Sequence, residues 1–211
     1  MSGTPTRRSG GRPTASAAAQ LETTILDAAT AAFLADGYAA STIESIARTC
    51  GVAKRTIYAR WSGKPALFRA AAERLMTRWL SDDGDWAATE DLETALDGAA
   101  ARVLAVALTP EAVALHRLLI AESARFPELP LMMHQAGGGE GTSRIAALLE
   151  SAIARGNLPP QDTRFAAEQF LHLVLAGPQR RALGLGDKLD EQQMNAWRKA
   201  AVALFLSGVR S

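Results

Sequence analysis

Lys54, Arg55, Thr56, Tyr58 and Arg60 crowd one short polar stretch of the chain. All five side chains can donate hydrogen bonds to phosphate oxygens, and lysine or arginine can also engage guanine O6 and N7 at a base edge. To act together they must share one exposed helix. Residues 41–68, STIESIARTCGVAKRTIYARWSGKPALF, read as two short helices joined by a tight turn, with a third opening behind them. Ser41, with Glu44 three residues on, has the pattern of a capping box. Ile43, Ile46 and Ala47 fall on one face at helical spacing. Gly51 stands where the chain must turn sharply, a place for positive φ. This pattern predicts a helix-turn-helix whose second helix enters a DNA major groove.

Ile25-Leu26-Asp27-Ala28-Ala29, Phe33, Gly37-Tyr38, Thr42, Ile46-Ala47, Cys50-Gly51-Val52, Ile57-Tyr58, Lys64 and Leu67-Phe68 keep a combined spacing that is specific. From Leu21 to Phe68 the chain resembles the DNA-binding domain of TetR-family transcriptional regulators. Ala53, where the family usually offers a polar cap, and Trp61, where phenylalanine is commoner, depart from the pattern. The lost cap costs about 1 kcal/mol of helix stability. The resemblance implies that Lys54 and Arg55 meet base edges, while Thr42, Thr56, Tyr58, Arg60 and Lys64 hold phosphates. Tyr58 has a second reading, as packing against the first helix. Arg7, Arg8 and Arg12 belong to a Gly/Pro/Ser/Thr-rich stretch, residues 1–15, that cannot bury a core. They form either a minor-groove arm or a solvated tail.

The 211 residues are 48% hydrophobic and 21% charged, which suits a packed core. The formal charge of +1 is unevenly spread: residues 1–64 carry 8 Lys/Arg against 4 Asp/Glu, and the remainder is acidic. A basic first third on an acidic body fits a DNA reader joined to a regulatory domain. The single cysteine, Cys50, cannot form an intramolecular disulfide and reads as a small packing residue; a redox-sensing thiol would need a lowered pKa. No apolar run is long enough to span a bilayer, and no apolar region follows the N-terminal arginines, so a cytoplasmic protein without membrane contact is expected.

Helical periodicity continues throughout, giving an all-α fold class: an N-terminal three-helix helix-turn-helix domain, then a C-terminal helical ligand-binding and dimerisation domain. The divisions are 1–15, a disordered basic arm; 16–63, the DNA-binding domain; and 64–211, the effector and dimerisation domain. The first helix covers 17–36 and ends at Gly37, and Ser62 caps another reaching Leu80. Asp82-Asp83-Gly84-Asp85 is a solvated turn that lacks the remaining ligands of a calcium loop. Later helices are expected at Leu92–Leu108, Glu111–Phe126, Glu128–Gln135, Thr142–Arg155, Thr163–Leu183 and Asp190–Gly208. Gly137-Gly138-Gly139 should break the chain's helical path, as a gate or a loose loop.

The segment from His116 to Leu129, with Ala167-Glu168-Gln169-Phe170-Leu171, is similar to the C-terminal domain of an AefR-like subgroup. Trp86, Leu119, Phe126, Met132, Met133, Phe170 and His172 are the candidates for lining an apolar effector pocket, and each also reads as plain core. The last two helices are apolar around much of their circumference; the family resemblance implies that they pair with a second copy, with Leu175, Trp197 and Phe205 as interface candidates. No histidine pair has metal-ligand spacing and no catalytic constellation is visible, so neither a cofactor, a metal nor an enzyme is expected. The reading is a homodimeric regulator of double-stranded DNA, a repressor released by a hydrophobic small molecule. An activator of the same fold and a helical interaction protein that does not bind DNA are the alternatives.

Overall fold

A computed structural model describes residues 15–80 and 91–210. Arg7, Arg8, Arg12, Asp82–Asp85 and Trp86 lie outside the described residues. Among those described there are ten α-helices and no strand. Helix α1 spans Ala15–Ala40 and buries Ile25, Leu26, Ala29 and Phe33 on one side. The sequence places its end at Gly37, and the regular helix does break there, at φ 83° and ψ 165°, before a short helical turn that reaches Ala40. Helix α2 is Ile43–Thr49, and its cap is Thr42 rather than Ser41. Thr42 Oγ1 accepts the Ser45 N–H at 3.0 Å, while the Ser45 hydroxyl oxygen accepts the Thr42 N–H at 3.3 Å. Ser41 is unavailable for capping because it is buried, its hydroxyl 2.7 Å from the Gly37 carbonyl oxygen.

Gly51 turns the chain at φ 66°, and α3, Lys54–Tyr58, begins at Ala53 with no side-chain cap. Helix α4 is Lys64–Leu80, its first backbone bond running from Leu67 N–H to Gly63 O, so Gly63 rather than Ser62 stands at its start. Asp91 caps α5, Leu92–Ala107, and Thr109 caps α6, Pro110–Glu122. Helix α7, Glu128–Met133, widens into a π-turn at His134–Gly138 and continues into α8, Glu140–Ala154. The glycine triplet therefore loosens the helical path without opening a loop. Helices α9, Thr163–Ala182, and α10, Glu191–Val209, complete the chain.

Two apolar cores result. The first joins α1–α4 to Leu115 and Leu118 of α6 and Leu129 and Met133 of α7. The second gathers α5, α8, α9 and α10 around Phe170, Val174 and Phe205. Helix α6 thus packs with α1–α4 although it follows α5 in sequence.

Helices α9 and α10 meet through a lock that no single residue would reveal. Pro178 lies inside α9 and lacks the N–H that would pair with the Val174 carbonyl. The Trp197 indole N–H donates to that carbonyl at 3.0 Å. Gly177 lets the ring approach: a Cβ there would lie 2.4 Å from the indole. Gly177→Ala should destabilise the protein by about 1–3 kcal/mol through overpacking. Trp197→Phe should cost about 1–3 kcal/mol by leaving a carbonyl unpaired. Urea denaturation of both and of the double variant checks the coupling; the alanine should cost less once the indole is gone.

Candidate nucleic-acid interface

Ile57 fixes α3 by burying its side chain completely in the first core. With that side held, Lys54, Arg55, Tyr58 and Arg60 face solvent and Thr56 is half-buried. Among the described residues, none of Lys54, Arg55 and Arg60 forms an ion pair with a carboxylate. Tyr58 is 48% exposed, and its ring lies 5.8 Å from the Lys54 ammonium. Thr42, at the start of α2, is exposed and keeps its hydroxyl on the cap. Of the sequence-expected set, Thr42, Lys54, Arg55, Tyr58 and Arg60 are thus exposed and Thr56 is half-buried; one member is engaged elsewhere.

Lys64 is that member. Its ammonium donates to the carbonyls of Tyr38, Ala39 and Ser41 at 2.8, 3.2 and 3.1 Å. It also lies 4.6 Å from the centroid of the Tyr38 ring. Three N–H donors meet three acceptors, so the amine fastens the end of α1 instead of reaching outward. A cation suits carbonyls left over at a helix C-terminus. Burial pulls the Lys64 pKa below its ordinary value; Arg125 pulls the same way and Glu122 opposes it.

From the opposite side, Glu122 Oε1 at the end of α6 accepts the Ala39 N–H at 2.9 Å. The same oxygen sits 3.0 Å from where a Cβ on Gly37 would be, so glycine is required there by both its φ and its crowding. Tyr38 is buried between these groups, its ring edge-on to Phe68 at 5.3 Å and to Phe126 at 4.9 Å. Burial, then the Glu128 charge, pushes its phenol up. Glu122 was invisible as a functional residue in sequence, because nothing local marks a glutamate that will meet a backbone N–H 83 positions away.

The described effector candidates are divided between two cores and the surface. Leu119, Phe126 and Met132 pack half-buried against the first core, which includes Met133. Phe170 is fully buried in the second core, and His172 is exposed. A cleft of about 350 Å³ lies elsewhere, between α5, α6, α9 and α10, and none of the candidates lines it. Of the interface candidates, Phe205 turns inward onto Phe170, ring centroids 5.0 Å apart, and Trp197 seals α9; Leu175 is half-buried. Phe165 and Leu204, 60% and 61% exposed, are the large apolar side chains that α9 and α10 present outward. Among the described residues no group of three or more His, Cys, Asp or Glu could hold a metal ion. No single described helix is long and apolar enough to cross a membrane.

The family described as bacterial regulatory proteins, tetR family, matches residues 25–71. The AefR-like transcriptional repressor C-terminal domain matches residues 94–208. The chain belongs to the TetR family of transcriptional regulators. Solved structures of TetR-family proteins agree. The flavonoid-responsive regulator FrrA is 31% identical, covering 90% of this chain and 97% of its own, with a TM-score of 0.78. A TetR-family regulator from Mesorhizobium loti MAFF303099 is 26% identical with the same coverages and TM-score. The fatty acid degradation regulator FadR from Bacillus halodurans shares the fold at 21% identity, TM-score 0.68, covering 90% of this chain and 96% of its own. No curated protein sequence matches the chain.

The TetR-family helix-turn-helix also explains Cys50, half-buried at the end of α2 with its sulfur 3.8 Å from the Thr24 carbonyl. Burial pushes the thiol's pKa up, the opposite of what a redox sensor needs. At neutral pH iodoacetamide should alkylate Cys50 more slowly than free cysteine, and the rate should level off at a higher pH than it does for the free thiol. Alkylation as fast as free cysteine at neutral pH would contradict this.

Proposed function

We propose that this TetR-family regulator is a ligand-responsive repressor that binds a palindromic operator as a homodimer. The observation that carries the reading is the set of exposed cations, Lys54 and Arg55 on α3 and Arg60 just beyond its end, none with a carboxylate partner among the described residues, while Ile57 pins the helix from behind. Lys54 and Arg55 read base edges; Thr42, Thr56, Tyr58 and Arg60 hold phosphates and fix register. Lys64 supports the interface from behind, through its carbonyl contacts. Arg7, Arg8 and Arg12 are assigned to the flanking minor groove. A regulator of this kind acts in the cytoplasm, and its chemistry is binding rather than catalysis.

Dimerisation is supported by the outward faces of α9 and α10. Phe165 and Leu204 are exposed there, and Ala196, Ala200 and Ala203 leave α10 open to close approach. A two-fold pair of recognition helices suits half-sites about one helical turn apart. The resemblance to a flavonoid-responsive regulator and to an AefR-like repressor domain supports release by a small apolar molecule. Ligand bound in the C-terminal half favours the conformation incompetent for DNA by its differential affinity for the two states. The route is short: Glu111 of α6 pairs with Arg78 of α4, and Glu122 of α6 holds Ala39.

Selection from a randomised duplex pool at two salt concentrations tests the reading. It should enrich a palindrome bound with salt-dependent affinity; weak, sequence-blind binding from protein refolded free of ligand would refute it. On the recovered operator, Arg55→Ala should relax sequence preference, and Arg60→Ala should weaken binding and lower the salt slope by about 0.9. Lys64→Met should leave the salt slope at the wild-type value and lower the unfolding midpoint instead.

A further inference from the structure

The cleft of about 350 Å³ lies between the end of α5, the first two turns of α6, the end of α9 and the chain leading into α10. Its apolar floor includes Leu108, Val113 and Met194, and three cations, Arg117, Arg181 and Lys188, also line it. Among the described residues no acidic side chain does. The acidic residues nearest in sequence are turned to other work or lie outside the lining: Glu111 pairs with Arg78, Asp190 caps α10 by accepting the Gln193 N–H, and Asp187 is exposed. Among the described residues, none of the three cations has a carboxylate partner.

Two of these cations are held in place by the protein itself. The Arg181 guanidinium donates to the Gly177 carbonyl at 3.2 Å and lies 5.8 Å from the centroid of the Trp197 ring. Arg117 donates to the Ala182 carbonyl at 3.2 Å. Each guanidinium has five N–H donors, so each keeps donors to offer after that single bond. Like charges gathered at an apolar hollow repel one another, and an anion placed among them relieves that repulsion while forming charge-assisted hydrogen bonds.

We infer that this cleft is a binding site for a small organic anion with an apolar body, such as an aryl or short acyl carboxylate or a phenolate. The apolar body rests on Leu108, Val113 and Met194, and the charge meets Arg117, Arg181 and Lys188. A volume near the lower end of the ~300–1,000 Å³ range of small-molecule sites fits a compact anion rather than one carrying a nucleotide. This assignment rests on the ligand-responsive reading for its regulatory meaning, and it replaces a purely hydrophobic effector with an amphipathic one.

Helix α6 gives the site its connection to DNA. Pro110 and Val113 are in the cleft, and Glu111 between them is bonded to Arg78 at the far end of α4. Leu115 and Leu118 are buried in the first core, and Glu122 ends the helix on the Ala39 N–H. An anion that draws Arg117 toward Arg181 pulls on α6 and, through it, on the end of α4 at Arg78 and on the α1–α2 joint at Ala39.

The test uses the full-length protein and two fluorescent probes of nearly the same shape, anilinonaphthalene sulfonate and its uncharged analogue N-phenylnaphthylamine. Wild type should bind the sulfonate saturably and more tightly than the amine. Arg117→Gln combined with Lys188→Gln, both at exposed positions, should weaken sulfonate binding about tenfold or more and leave the amine's affinity unchanged. Unchanged sulfonate affinity, or an equal loss for both probes, would overturn the assignment. Operator binding separates this proposal from the reading beneath it. An uncharged compound that releases operator equally from wild type and the double variant would keep the ligand-responsive reading and overturn the cleft as its site. A charge-dependent sulfonate site, with no anion able to change operator affinity, would keep the cleft and overturn the regulatory reading.

Discussion

Two charged side chains gripping the same few peptide groups set the geometry on which everything else depends. Between α1 and α2 the chain must leave one helix, turn at Gly37 and start another within a few residues. That leaves carbonyls and an N–H without helical partners. Such groups are costly to bury unsatisfied. Lys64 closes the carbonyls from the α4 side, and Glu122 closes the Ala39 N–H from the α6 side. The two elements that position the helix-turn-helix are thus the same two that connect it to the rest of the molecule. A displacement of either would act directly on the joint that leads into α2.

The rest of the architecture distributes labour around that joint. The first core runs from α1 through α4 and recruits α6 and α7, so the DNA-binding end and its lever share one apolar interior. The second core is separate, and Trp197, Pro178 and Gly177 make its last two helices a single rigid piece. Interiors packed in this way shift between discrete arrangements more readily than they deform. Helix α6 touches both bodies, bonded to Arg78 and Ala39 on one side and forming part of the cleft on the other. That position is what the proposed ligand response would use.

Much of this was legible in the sequence, and the limits follow one rule. Features set by neighbours along the chain could be read: helical periodicity, the turn at Gly51, the cluster from Lys54 to Arg60, and the ends of the helices near Leu108 and Arg155. Errors arose where a distant element decided the outcome. Ser41 has the chemistry of a cap, but the α1–α2 joint draws it inward and leaves the task to Thr42. Lys64 has the chemistry of a phosphate ligand, but three carbonyls reach it first. Phe205 looked like an interface residue because α10 is apolar nearly all round, and only the packing of Phe170 shows which side is internal. The cleft's cations come from α6, α9 and the segment after α9, and no sequence pattern gathers them.

The most direct test of the joint is hydrogen exchange at the Ala39 amide in wild type, Glu122→Ala and Glu122→Gln, with operator affinity measured on each. Glutamine keeps an acceptor oxygen and alanine does not. The amide should be protected in wild type and largely so in the glutamine variant. In the alanine variant protection at Ala39 should be lost, with α5 and α8–α10 still protected and operator affinity reduced. An Ala39 amide equally protected in all three, with unchanged operator affinity, would show that α6 does not hold the DNA-binding domain through Glu122.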